Sequence, residues 1–363
     1  MSIQPSSPTP PQRRPLRGRG SASVPDSRFL SWQRSEADDG WPRDEASAPR
    51  TQLLVDTARH VITYNQSPDI SFDRSINPYR GCEHGCAYCF ARPSHAWLGL
   101  SPGLDFETQL FWKPDAPGCL ADELAHPAYR PAPLALGVNT DAWQPVERQT
   151  GLTRQLLQIL AACRHPVSTI TKSSLIERDI DLLATMAKLG IVKVMVSITT
   201  LDANLARRLE PRAASPARRL ETLRKLSEAG IPTGVMFAPL IPGLNDHELE
   251  TVLNAAAAAG ARSAGWVLVR LPHEVGELFQ EWLECHVPDR AARVMSLIGQ
   301  TRGGQTYDAR FGHRMRGQGP LASLYQQRMA VATRRLGLAD PHPPLRSDLF
   351  TPPRRSNRQG ELF

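Results

Sequence analysis

The chain has 363 residues, of which 41% are hydrophobic and 22% charged, enough for one barrel-sized domain or two smaller ones. No run approaches ~18 consecutive apolar residues, and no apolar stretch follows a charged start in residues 1–60, so neither a membrane-spanning helix nor a secretory signal is expected. The net charge of +7 sits largely at the ends, with nine Arg against seven acids in residues 1–60 and six Arg against three acids in residues 334–363, so the basicity belongs to tails that are usually solvated and at most weakly attract nucleic acid or anionic membrane.

Residues 1–60 are rich in Pro, Ser and Arg, hold no hydrophobic period and read as a disordered leader. A first short strand is predicted around Ser75–Arg80. Further strands are predicted at Leu134–Asn139, Val167–Thr171, Val192–Thr199, Thr233–Leu240 and Gly265–Leu271. Most of these runs are unbroken rather than alternating, which suits a parallel sheet covered on both faces. Helical periods separate them. Leu152, Leu156, Leu157, Leu160 and Cys163 share one face, as do Ile176, Ile180, Leu183 and Leu189. Leu220, Leu223 and Leu226 mark a helix ending at Gly230, and Leu249, Val252 and Leu253 another ending near Gly260. Six strand–helix units at this spacing predict an α/β fold, a partial (β/α)6 barrel, over residues 61–275. Such folds bind ligands at the carboxyl ends of their strands. Residues 276–338 read as a helical extension, two helices broken at Pro288, a Gly- and Arg-rich loop, and a last helix from about Leu321 to Leu336. Residues 339–363 read as a second disordered tail.

Of six cysteines, Cys82, Cys86 and Cys89 crowd into eight residues, while Cys119, Cys163 and Cys285 stand alone. This is no disulfide framework but a metal or cluster site in a reducing, cytoplasmic compartment. The spacing is Cys-x3-Cys-x2-Cys. Thiolates are soft ligands for iron–sulfur clusters and zinc. Three on one loop can hold three irons of a cubane and leave the fourth iron open. The alternative is a zinc site in which Cys82, Cys86 and Cys89 are joined by His84 or His95, in a non-enzymatic interaction module.

The cysteine motif, with Tyr88 before its last Cys, resembles that of the radical S-adenosylmethionine (SAM) superfamily. The stretches around Thr169–Ser174, Ser197–Thr200, Leu209–Arg212 and Pro239–Asp246 resemble the subgroup of spore photoproduct lyase and related DNA-repair proteins. The resemblance covers about residues 60–330. It implies a [4Fe-4S] cluster on the three cysteines and SAM on the open iron. One electron then cleaves SAM to a 5′-deoxyadenosyl radical that takes hydrogen from substrate. It also implies a reductant such as a flavodoxin or ferredoxin. Tyr88, Asn139, Thr140, Asp141, Lys172 and Ser197 would shape the SAM pocket, with Arg270 near the adenine. Two of these assignments compete with plainer ones: Asn139–Asp141 could simply cap a helix, and Ser197 could bond a neighbouring strand. Glu210 is expected to pair with Arg218 or Arg219. Spore photoproduct lyases are expected to carry a hydrogen-donating Cys where this chain has Asn139, which separates the radical machinery from that particular lyase reaction. Arg302, Arg310, Arg314 and Arg316 are candidates for phosphate contacts to a nucleic acid, or for pairing with acids within the protein.

Overall fold

The computed structural model describes residues 16–31, 49–339 and 343–353. Strands β1 (Gln52–Val55), β2 (Ile62–Tyr64), β3 (Arg74–Ile76) and β4 (Tyr79–Arg80) come first. Helix α1 (Asp105–Thr108) runs into β5 (Gln109–Trp112), followed by α2 (Ala116–Leu124) and β6 (Leu134–Leu136). Helices α3 (Glu147–Thr150) and α4 (Leu152–Ala162) lead to β7 (Val167–Thr171), and α5 (Ile180–Lys188) to β8 (Val192–Ser197). Then α6 (Ala203–Leu209) and α7 (Pro216–Glu228) precede β9 (Thr233–Leu240), and α8 (Leu249–Ala258) precedes β10 (Ser263–Leu268). Helices α9 (Val275–His286), α10 (Pro288–Gln300) and α11 (Gly319–Arg335) follow.

The main sheet runs β10-β9-β8-β7-β6-β3-β2. Its six strands from β3 to β10 are parallel and lie in chain order, the arrangement that curls into a partial barrel. Strand β2 pairs antiparallel with β3 at one edge. The helical periods become the covering layer: Leu152, Leu156, Leu157 and Leu160 of α4 are buried in one core with Val192, Val194 and Val196 of β8. Ser215 caps α7 through its hydroxyl, and Pro216 opens the helix, where a missing N–H costs nothing. Helices α9 and α10 form a second core: Phe279, Trp282, Val294 and Ile298 pack with Cys86, Ala87 and Tyr88. The C-terminal extension therefore roofs the carboxyl end of the barrel.

The sheet leaves two edges, β10 and β2, and the loop between α10 and α11 bridges them. Leu268 donates its N–H to Met315 O at 3.0 Å. Arg314 pairs with Asp69 at 2.6 Å in the segment after β2. Arg302 is 1% exposed and donates to His313 O, Leu268 O and Val269 O. Arg310 pairs with Asp308, and Arg316 donates to Trp266 O at 2.7 Å and lies over that ring. Each of the four arginines thus has a partner within the protein, the alternative to phosphate contacts, and Arg302, the buried one, donates to local carbonyls.

The leader reads differently in part. Residues 1–15 and 32–48 lie outside the described residues, but residues 16–31 pack with Arg19, Ser21, Ser23 and Ser27 all buried. Strand β1 pairs with β5, which pairs with β4, as a second small sheet. Composition hid these segments because backbone bonds, not an apolar stripe, anchor them. In the tail, residues 343–353 also pack: Arg346 N–H bonds Gly190 O and Thr351 N–H bonds Cys163 O. Residues 340–342 and 354–363 lie outside the described residues.

Phe350 of that tail lies edge-on to His165 at 5.5 Å. The His165 ring donates from Nδ1 to Pro166 O at 3.0 Å and accepts from the Tyr129 hydroxyl at 2.7 Å. Burial keeps the ring neutral and lowers its pKa from 6.5 to about 4. A depressed histidine contributes stability that is complete above pH 6.5 and is lost as pH falls toward 4, by at most about 3 kcal/mol. Urea midpoints at pH 7 and 4.5 measure the loss, and His165→Gln is expected to remove its share of the slope.

Candidate metal centre

The three motif cysteines follow β4 on one tight loop. Cys82 N–H bonds Phe106 O at 2.9 Å, Cys89 N–H bonds Cys86 O at 3.2 Å, and Ala87 N–H bonds Leu209 O at 3.0 Å. Gly81 and Gly85 take φ of 79° and 64°, a region that a Cβ disfavours. Gln144, in the loop after β6, accepts from Glu83 N–H at 2.8 Å and donates to Gly81 O at 3.1 Å. Arg92 donates twice to Cys86 O, at 2.9 and 3.0 Å. Glu83 accepts from Thr51 at 2.7 Å and from Arg212 at 2.8 Å. The loop is thus held on every side by side chains aimed at its backbone.

Tyr88 is buried, and its hydroxyl donates to Glu210. Glu210 also accepts from Thr199 Oγ1 at 2.6 Å and from Arg219. Arg219 adds bonds to Ser197 O at 3.1 Å and Ala214 O at 2.7 Å. The expected ion pair of Glu210 is therefore with Arg219, while Arg218 pairs with Glu177. Burial disfavours the Glu210 charge, but Arg219, Lys172, Thr199 and Tyr88 outweigh it and hold its pKa down to about 2. Asn245 ties this floor together, donating to Thr199 O at 2.7 Å and Pro239 O at 3.0 Å.

The residues expected to shape the SAM pocket separate into two groups. Tyr88, Asp141 and Lys172 stand together around the thiols. Asp141 accepts from Thr171 Oγ1 at 2.8 Å, Lys172 N–H at 2.8 Å and Trp143 N–H at 2.9 Å, so it joins the ends of β6 and β7. The Lys172 ammonium sits 5.9 Å from the Tyr88 ring centre. By contrast, Thr140 spends its hydroxyl on Tyr79 O and Ser197 on Ala238 O; for Ser197 this is the plainer role foreseen from sequence. Asn139 is exposed, its N–H bonded to Asn77. Gln144, Arg92 and Thr199 were not anticipated. No spacing rule marks them: Gln144 and Arg92 bond the loop backbone, and Thr199 bonds the Glu210 carboxylate that anchors Tyr88.

Burial pushes the Cys82 thiol well above its usual range, with Asp141, Cys86 and Cys89 adding to the effect. Burial likewise pushes Cys86 up to about 12, opposed by Lys172 and Arg219 and reinforced by Glu210 and Cys89. Each thiol therefore senses its neighbours, and metal binding must displace their protons. The donor set fits a cubane: three soft sulfurs in a water-poor pocket with Lys172 and Arg219 to offset negative charge. A tetrahedral zinc site would need a fourth ligand from His84 or His95. His84 faces Asp141 at 3.5 Å, and His95 bonds Gln109 O.

The sequence pattern of the radical SAM superfamily matches residues 76–256. An uncharacterized protein of Mycobacterium tuberculosis is 36% identical over 289 residues, covering 74% of this chain and 85% of its own length. Another, from Methanocaldococcus jannaschii, is 30% identical over 173 residues, covering 48% of this chain and 62% of its own. Among solved structures, a spore photoproduct lyase complexed with dinucleoside spore photoproduct superposes with a TM-score of 0.56 at 15% identity. That match covers 78% of this chain and 79% of the other, a likeness of fold. The chain belongs to the radical SAM superfamily. Membership implies a [4Fe-4S] cluster and SAM as cofactors, and an enzyme that needs a reductant.

Proposed function

We propose that Cys82, Cys86 and Cys89 hold a [4Fe-4S] cluster, and that the protein uses it to cleave SAM reductively and abstract hydrogen from a substrate. When bound, these groups supply an electron and a 5′-deoxyadenosyl radical. The chain's own residues do the rest. Lys172 would supply a cation for the SAM carboxylate, and Asp141 fixes the backbone of that strand end. Tyr88, anchored on Glu210, forms a rigid wall beside Cys86. Helices α9 and α10 exclude water from the mouth, which protects a radical from quenching. The observation that carries this reading is three thiols on one loop, Cys82 and Cys86 buried and Cys89 partly so, beside Lys172 at the end of β7 and the buried Arg219 of α7. The test is anaerobic: reconstitution with iron and sulfide, reduction, addition of SAM and assay for 5′-deoxyadenosine. A fully loaded cluster that never yields it, with or without candidate substrates, would exclude the reading. A flavodoxin or ferredoxin suits the electron-donor role.

A narrower reading takes nucleic acid as the substrate class. Arg270 follows β10, and its guanidinium lies 4.7 Å from the centre of Phe90, the residue after Cys89. Its Nε is buried without a hydrogen-bond partner, and its Nη1 meets the Met315 sulfur at 3.5 Å. A flat cation beside a half-exposed aromatic ring suits a base and its phosphate. Arg270→Ala is expected to weaken binding of a short single-stranded DNA by about tenfold and to lower its salt dependence by about one ion. Binding that ignores salt would remove nucleic acid from the proposal. Asn139 carries no transferable thiol hydrogen, and Cys119, Cys163 and Cys285 lie on α2, at the end of α4 and on α9. The proposal therefore does not extend to thymine-dimer reversal.

A further inference from the structure

Residues 16–31 cross the outer side of the cysteine loop at very short range. A Cβ built on Gly20 would lie 1.6 Å from Gly85 O and 2.8 Å from Gly85 C, so the backbones of strap and loop touch with no room for a side chain. One buried carboxylate joins them. Glu107, fully buried, accepts from Gly20 N–H at 3.0 Å and Ser21 N–H at 2.9 Å. It also takes Arg92 at 2.5 Å, the same arginine that grips Cys86 O. Arg19 donates to Glu107 O at 3.0 Å and to Pro49 O at 2.6 Å. Farther along, Leu104 N–H bonds Ser23 O at 3.1 Å. The strap's far side is pinned to α9, where Ser23 Oγ donates to Glu281 at 2.6 Å and Arg28 pairs with Glu274 at 2.8 Å.

A buried ion pair is costly unless its remaining hydrogen-bonding capacity is filled. Without the strap, Glu107 loses two amide donors, and Arg92 loses a rigid partner while still holding the Cys86 carbonyl. The Gly85 turn also loses its cover. We propose that residues 16–31 are a positioning strap for the metal loop, and that docking of the strap and retention of the cluster are thermodynamically linked. This rests on the reading of Cys82, Cys86 and Cys89 as cluster ligands. Linkage is reciprocal: a docked strap holds the cluster, and a bound cluster holds the strap.

The test uses the full chain. Gly20→Ala replaces no cysteine and no residue of the metal loop, and its Cβ drives the strap and the Gly85 turn apart. Its reconstituted cluster is expected to bleach in air roughly tenfold faster than wild type, with a broadened paramagnetic signal after reduction, as loss of a buried contact network implies. Unfolding of the metal-free barrel should be nearly unchanged. Ser23→Ala, which removes an anchor to α9, should give a smaller change in the same direction. In wild type, hydrogen exchange at the Gly20 and Ser21 amides should slow on cluster loading. Equal bleaching and signal shape in Gly20→Ala, or equal amide protection in the metal-free and loaded protein, would overturn the strap. A wild-type chain that takes up no cluster would instead overturn the reading beneath it.

Discussion

Cys86→Ala is expected to lose the iron–sulfur chromophore and to form 5′-deoxyadenosine more than about 100-fold more slowly than wild type. Contacts one step removed from a metal's ligands are worth 10- to 100-fold, so loss of a ligand must exceed that. The variant should still fold. Cys86 is 9% exposed beside Ala87 and Tyr88, and exchanging a thiol for a hydrogen in such a place costs only about 1 kcal/mol. The loop backbone is held by Arg92, Gln144 and the Phe106 carbonyl, none of which needs the sulfur. Cys163→Ala is the matched control, because Cys163 is equally buried but lies in the core at the end of α4. Iron analysis, visible absorbance and the product assay on both variants check the result. Equal losses in the two would mean that any buried cysteine matters to folding and none matters to metal.

Arg219→Leu is expected to be the most destabilising single change near the site. Arg219 and Glu210 are both about 2% exposed, and removing one member of a buried pair costs about 3–5 kcal/mol because the other charge is stranded. For a chain of this size that lowers Tm by roughly 4–7 °C. The effect should reach the metal loop as well. Glu210 without its cation is driven toward the neutral acid, and the hydroxyls of Tyr88 and Thr199 then bond a weaker acceptor. The double variant Arg219→Leu, Glu210→Leu should recover part of the stability and none of the Tyr88 anchoring. Calorimetry of the single and double variants separates the stranded charge from the lost packing. A double variant no more stable than the single would show that the pair acts through its bonds to Ser197 O and Ala214 O instead.

Much of this architecture is legible in the residues. Val167–Thr171 and Thr233–Leu240 are strands over the ranges their apolar runs predict, because central strands of a parallel sheet are rich in apolar and β-branched residues. The cysteine spacing points to the metal loop, because soft ligands on one tight turn have few other uses. Other features follow from partners far away in the chain. Strand β1 is half-exposed, so nothing in Gln52–Val55 announces a strand until β5 is beside it. Ser197 and Thr140 are expected in the SAM pocket from the resemblance alone, and only the fold shows that each hydroxyl also donates to a neighbouring carbonyl. The arginines at 302, 310, 314 and 316 looked like a basic patch, but each is answered locally. Charge counted along a chain says nothing about which carbonyl or carboxylate lies opposite.

The strap also sets a schedule. Ser23 meets Glu281, 258 positions later in the chain, while Glu107 and the cysteine loop emerge much earlier. At roughly 5–20 residues per second the strap waits about 13–50 s on the ribosome for its helix. During that interval the strap can already meet Gly85 and Glu107, and only its anchor to α9 is missing. The contact that closes last around the cysteine loop is therefore the one made by Ser23 and Arg28.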